Sequence, residues 1–76
     1  MDNEETTLDL KRLLCPLPVI RTQDKIKTMK AGQLLRVICT DPGVRQDIPA
    51  WCRINNHQVM DIVESQRELQ ILIRVG

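Results

Sequence analysis

The sequence predicts an α/β fold: a two-layer α/β sandwich of order β-α-β-α-β-β, with a mixed four-stranded sheet and two helices on one face. Three observations lead there. Apolar residues alternate with polar ones at Leu8 and Leu10, again from Leu34 to Thr40, and at Leu69, Ile71, Ile73 and Val75, which is the two-residue period of a strand with one buried face. Two stretches between these runs carry apolar residues at helical spacing and are bounded by proline and turn residues. The links to the second and third strands are long enough for helical crossovers between parallel neighbours, whereas Ser65-Gln66-Arg67 is short enough for an antiparallel hairpin.

Each element follows from its residues. Residues 1–7, Met1-Asp2-Asn3-Glu4-Glu5-Thr6-Thr7, are acidic and polar and are expected to form a flexible tail before a single domain spanning 8–76. Leu8 and Leu10 start the first strand. The first helix is expected from Pro16 to Met29 or Lys30, since proline suits the first helical position. Val19, Ile20, Ile26 and Met29 form its apolar stripe, and Ala31-Gly32 ends it. Strand two runs from Leu34 to Thr40 and breaks at Asp41-Pro42-Gly43. Pro49 is tolerated only near a helix start, so Asp47 is read as the N-cap of helix two, with Ile48, Trp51, Cys52 and Asn55 on one face. Asn55-Asn56 can close that helix in a left-handed conformation. His57 to Glu64 and the run to Val75 complete the sheet. Two helices cover one face, which leaves Leu34, Ile38 and Leu72 on the other as a candidate interface.

Composition narrows the function. Seventy-six residues make one domain of a size that buries only about 60% of its unfolded surface, too small to enclose a large substrate. Trp51 is the single aromatic and the net charge is +1, which argues against direct nucleic-acid binding. No apolar run approaches the ~20 residues needed to span a bilayer, and the acidic start is unlike a signal peptide. Cys15, Cys39 and Cys52 are odd in number and unpaired by spacing, which fits a reducing, cytoplasmic setting. With one histidine they also lack the pattern of a structural metal site. No metal or organic cofactor is implied.

The chemistry concentrates at Cys15-Pro16-Leu17-Pro18. A residue before proline is driven out of the helical region, so Cys15 is expected just outside helix one, presented to solvent. The helix end, with Lys11, Arg12 and Arg21 nearby, is expected to make this thiol more acidic than an ordinary one. Lys25 and the other basic residues of helix one could dock an acidic partner beside it. Cys39 and Cys52 fall on apolar faces and are expected to be buried, and His57 is expected to be a surface or cap residue.

With these residues in hand, the chain resembles the TusA, or SirA-like, family of sulfur carriers. The resemblance runs from Leu8 to Val75 and rests on Leu8-Asp9, the Cys15-Pro16-Leu17-Pro18 motif, Asp41-Pro42, Asp47-Ile48-Pro49-Ala50-Trp51-Cys52 and His57. It implies that Cys15 carries sulfur as a persulfide, held out by Pro16 and Pro18. The sulfur would come from a cysteine desulfurase or a rhodanese-like donor and pass to an acceptor protein, DsrE-like or other. Such persulfide chemistry is of the sulfurtransferase type without a stand-alone enzyme. Family members serve tRNA thiolation, molybdenum cofactor supply, sulfur oxidation or thiosulfate uptake, and Leu17 stands where tRNA-pathway members often have an acidic residue. Two positions depart from the pattern, because Arg12 and Asn56 stand where the family usually has glycine. A rival reading is a redox-sensing or regulatory interaction domain, which would need a resolving cysteine.

Overall fold

The computed structural model describes residues 5–76 and has the order β1 (Glu5–Leu10), α1 (Leu17–Ile26), β2 (Leu34–Cys39), α2 (Val44–Ile54), β3 (Gln58–Ser65) and β4 (Glu68–Arg74). The expected α/β class and element order are therefore present. Residues 1–4 of the expected tail lie outside the described residues. Glu5, Thr6 and Thr7, also expected in the tail, instead pair with Leu34, Leu35 and Arg36. Two β-branched threonines suit a strand, and the Arg36 guanidinium holds Glu5 in an ion pair.

The sheet order is β1-β2-β4-β3. β1 and β2 are parallel neighbours joined by the α1 crossover, as expected, but β4 lies antiparallel between β2 and β3. The second crossover therefore skips a strand. Burial explains the insertion: β4 places Leu69, Ile71 and Ile73 in the core, so its strong alternation suits a central position. β3 is mostly exposed and irregular, with a register shift between Val59 and Asp61, and takes the edge, where a bulge also discourages further pairing. The hairpin between them turns on Gln66 and Arg67, with φ of 50° and 68°, the positive angles that a two-residue turn of type I′ requires.

Both helices differ from expectation at their ends. Pro16 flanks α1 and Pro18 occupies its second position, where a missing N–H costs nothing because the first turn lacks acceptors anyway. The helix stops at Ile26 and the chain continues in tight turns, with Met29 N–H donating to the Ile26 carbonyl at 2.9 Å. Its buried stripe is Pro18, Thr22 and Ile26, spaced four apart. Val19 and Met29 are partly buried against the core, while Ile20 is 44% exposed. Thr22 is acceptable inside because its hydroxyl donates to the Pro18 carbonyl at 2.8 Å. α2 begins at Val44, so Asp47 is not its N-cap but lies in the first turn, with Pro49 inside the helix. Its buried face is Val44, Ile48 and Cys52, with Trp51 half-buried and Asn55 exposed.

Leu35, Val37 and Cys39 from β2 meet these helix residues and the inward side chains of β4, with Leu10, Ile26 and Val75 closing the core. The opposite sheet face is not a continuous apolar patch, contrary to expectation. Leu34 lies between Glu5 and Arg74, Leu72 between Arg36 and Asp61, and Ile38 between Asp9 and Gln70. Arg36, bonded to Glu5 and Gln70, interrupts the leucines, so the face alternates polar and apolar groups. The core itself is the main source of stability. Ile48 is fully buried, so Ile48→Ala should cost about 2–5 kcal/mol, read as a lower denaturant midpoint at unchanged slope. A loss below about 1 kcal/mol would show that α2 is not packed as described.

Candidate functional site

β1 and β2 are parallel and in register, with Leu10 opposite Cys39, so the segments leaving their C-terminal ends emerge side by side. One leads to Cys15 and the other to α2. Two contacts tie the first segment to the second. The Arg12 N–H donates to Thr40 Oγ1 at 2.8 Å. The Cys15 N–H donates to Asp41 Oδ2 at 2.7 Å. The other Asp41 oxygen accepts the Gly43 N–H at 3.0 Å, fixing the loop that enters α2. The Cys15-Pro16 peptide is cis.

The sulfur is exposed and its thiol donates to Asp47 Oδ2 at 3.0 Å. Asp47 thus stands in the first turn of α2 with its carboxylate on the reactive atom of another loop. The electrostatics follow from this. The hydrogen bond to Asp47, then desolvation, then the charges of Asp47 and Asp41 raise the Cys15 pKa above its ordinary value. Two backbone N–H groups hold the Asp41 carboxyl below the usual range, because hydrogen bonds to the charged form favour it.

These directions overturn the expected acidic thiol. The charges acting on the sulfur are carboxylates, and Lys11, Arg12, Arg21 and Lys25 are not among them. Lys11 instead approaches Asp9 and Glu68 at 4.0 and 3.8 Å. Arg21 is exposed and Lys25 half-exposed along α1. α1 offers the sulfur little, since Pro16 and Pro18 lack N–H groups and the Leu17 N–H is bonded to the Leu14 carbonyl at 2.9 Å.

The motif residues also divide their work. Pro16 is exposed, Leu17 is 41% exposed and Pro18 is fully buried, so Pro18 anchors α1 rather than lining the thiol. Exposed Leu14, Leu17 and Ile20 belong to the same stretch of chain as the sulfur. Cys39 and Cys52 are buried, and burial pushes both thiols up to about 11. His57 lies past the far end of α2, half-buried and stacked on Trp51 with ring centroids 5.1 Å apart, its Nδ1 accepting the Gly76 N–H. From Asp47 to Ile54 the helix rises roughly 10 Å, and His57 lies beyond that end, away from the sulfur.

Asp41 and Asp47 are the site residues that the reading of the sequence did not assign to the thiol. Asp41-Pro42 and Asp47-Ile48-Pro49 stood out in the sequence as turn and cap signals and as part of the family resemblance, without a tie to the thiol. Nothing local in either stretch points at a cysteine many residues earlier.

A small α/β sandwich that displays one thiol at the ends of two parallel strands, gripped by two aspartates, is a thiol-presenting protein. Residues 6–75 match the model of the family described as "Sulfurtransferase TusA", and the chain belongs to that family. It is 32% identical over 72 residues to "Putative sulfur carrier protein YrkI" of Bacillus subtilis, covering 95% of this chain and 96% of that one. It is 42% identical over 59 residues, or 78% of its own length, to a "Putative sulfur carrier protein" of Aquifex aeolicus, of which it spans 30%. No helix among the described residues is long and apolar enough to cross a membrane.

The two departures from the family's glycines now have a common physical meaning. Arg12 has φ of 72° and Asn56 φ of 66°, both in the left-handed region that glycine enters freely. Asn tolerates it and Arg does so at a cost. Arg12→Gly should therefore raise stability by about 0.5–1 kcal/mol and leave the acidity of Cys15 unchanged. A shifted thiol titration in that variant would mean that the arginine reaches the sulfur.

The thiol itself supplies a pH prediction. A carboxylate that accepts the S–H bond and repels the thiolate must raise the midpoint of Cys15 alkylation above the ordinary thiol value of about 8.5. Asp47→Asn removes the charge and should lower that midpoint. A wild-type midpoint at or below the ordinary value, or one that Asp47→Asn leaves in place, would contradict this geometry.

Proposed function

We propose that this chain is a sulfur carrier in which Cys15 accepts sulfur as a persulfide and passes it to a cysteine of another protein. The observation that carries this reading is exposure: of the three cysteines, Cys15 reaches solvent and Cys39 and Cys52 do not. Family membership and the printed names of the relatives support the carrier role. In this reading the donor is a cysteine desulfurase or a rhodanese-like protein and the acceptor a DsrE-like or other protein. Docking against a partner sets specificity, because a domain of this size is too small to enclose a large substrate. Proximity in the docked pair supplies most of the rate. Three free thiols suit a reducing compartment such as the cytoplasm.

A redox sensor using the same thiol is less well supported. Such a sensor needs a resolving cysteine poised for attack, and both other thiols are buried and held protonated by their surroundings. Incubation with a cysteine desulfurase plus cysteine, or with a rhodanese plus thiosulfate, should add one sulfur atom to the intact protein. The adduct should be removable by reductant and absent in Cys15→Ser. Its persistence in Cys15→Ser, together with its loss in Cys52→Ser, would move the carrier site elsewhere.

A further inference from the structure

We propose that Asp47 is the proton acceptor of the sulfur-transfer step, a catalytic residue acting directly on Cys15. The inference rests on the reading of Cys15 as the sulfur acceptor and assigns the partner group that its chemistry needs. Asp47 Oδ2 takes the Cys15 S–H bond at 3.0 Å, within the reach required of a general base. The other candidates are committed or distant. Both oxygens of Asp41 hold backbone N–H groups, of Cys15 and of Gly43. His57, the single histidine, lies past the opposite end of α2 and is bonded to Gly76. Among the described residues, the Asp47 carboxylate has the thiol as its one hydrogen-bond partner.

A sulfur acceptor must be a nucleophile at the moment of transfer, and the thiolate is the nucleophilic form. In the free protein the thiol is protonated and bonded to Asp47, so its proton has to leave as the new bond forms. With a persulfide donor, written D–S–SH, Cys15 Sγ attacks the outer sulfur while its proton passes to Asp47 Oδ2. A sulfur–sulfur bond forms to Cys15 and the donor's sulfur–sulfur bond breaks, its electron pair leaving with the donor's inner sulfur as a thiolate. Asp47 then returns the proton to that thiolate. The sum is Cys15–SH + D–S–SH → Cys15–S–SH + D–SH, with no net gain or loss of electrons or protons. The same carboxylate also restrains the resting thiol, since while it accepts the S–H bond it disfavours the free thiolate.

This double action gives opposite effects on two reactions of one sulfur. Glutathione persulfide is the donor of choice because it transfers sulfur without protein docking, and iodoacetamide reports the accessible thiolate. In Asp47→Asn, alkylation at pH 7.5 should become faster, whereas sulfur uptake, followed by intact mass, should slow at least ~10-fold, since general bases typically contribute about 10²–10⁴-fold. Asp47→Glu, which keeps a carboxylate, should recover part of the uptake rate, and Asp24→Asn, a matched charge loss on α1, should change neither reaction. Thermal unfolding of each variant checks that the fold persists. If uptake in Asp47→Asn is unchanged, or rises in step with alkylation, Asp47 only restrains the thiol and the proposal is overturned while the carrier reading stands. If the wild type takes no sulfur from glutathione persulfide or from the protein donors, the carrier reading fails and the role of Asp47 fails with it.

Discussion

The hydrogen bonds from Cys15 to Asp41 and Asp47 are the constraint on which the site depends. They join the loop entering α1 to the loop and first turn of α2, so the sulfur is placed by two segments that meet only in the folded chain. The sheet makes the meeting possible. Parallel, in-register pairing of β1 with β2 brings both C-terminal strand ends to one edge of the molecule, and open α/β sheets generally build their sites at that edge. The core holds the arrangement, because Val44 and Ile48 bury the face of α2 that adjoins Asp47.

The balance of charge at the sulfur follows from the same contacts. A helix N-terminus carries the equivalent of roughly half an elementary charge, and here the cap residue Pro16 and the second helical residue Pro18 both lack an N–H. Opposing it is the full negative charge of a carboxylate in contact with the thiol, with a second carboxylate on the adjacent backbone. The carboxylates prevail and the resting thiol stays protonated. An exposed sulfur that is not an ionised sulfur is suited to meeting one chosen partner rather than reacting indiscriminately, which fits a carrier better than a general nucleophile.

Much of this was legible in the residues. Alternation exposed the strands, and the apolar faces of Cys39 and Cys52 correctly foretold their burial. The break at Cys15-Pro16 foretold exposure of the thiol, and Asn56 is left-handed as its chemistry suggests. What could not be read depended on partners distant in sequence. The bonds from Cys15 span 26 and 32 positions, and no local period reports them. Asp47 carries the signature of an N-cap, yet α2 gains three residues ahead of it because Val44 has a core site to fill. Residues 5–7 look like tail until Arg36 and the open edge of β2 are set beside them. Lys11, Arg12 and Arg21 are near Cys15 along the chain, but proximity in sequence says little about direction, and Lys11 turns toward Asp9 and Glu68.

The resting Cys15 is a protonated thiol bonded to Asp47, and its S–H stretching band reports both the proton and the bond. Infrared difference spectra of the wild type against Cys15→Ser, recorded at neutral pH, isolate the band of this one thiol. The band should be present, lie at lower frequency than that of an unbonded thiol, and move back toward the unbonded position in Asp47→Asn. A missing band, which would mean a thiolate, or a band at the unbonded frequency that Asp47→Asn does not move, would contradict this.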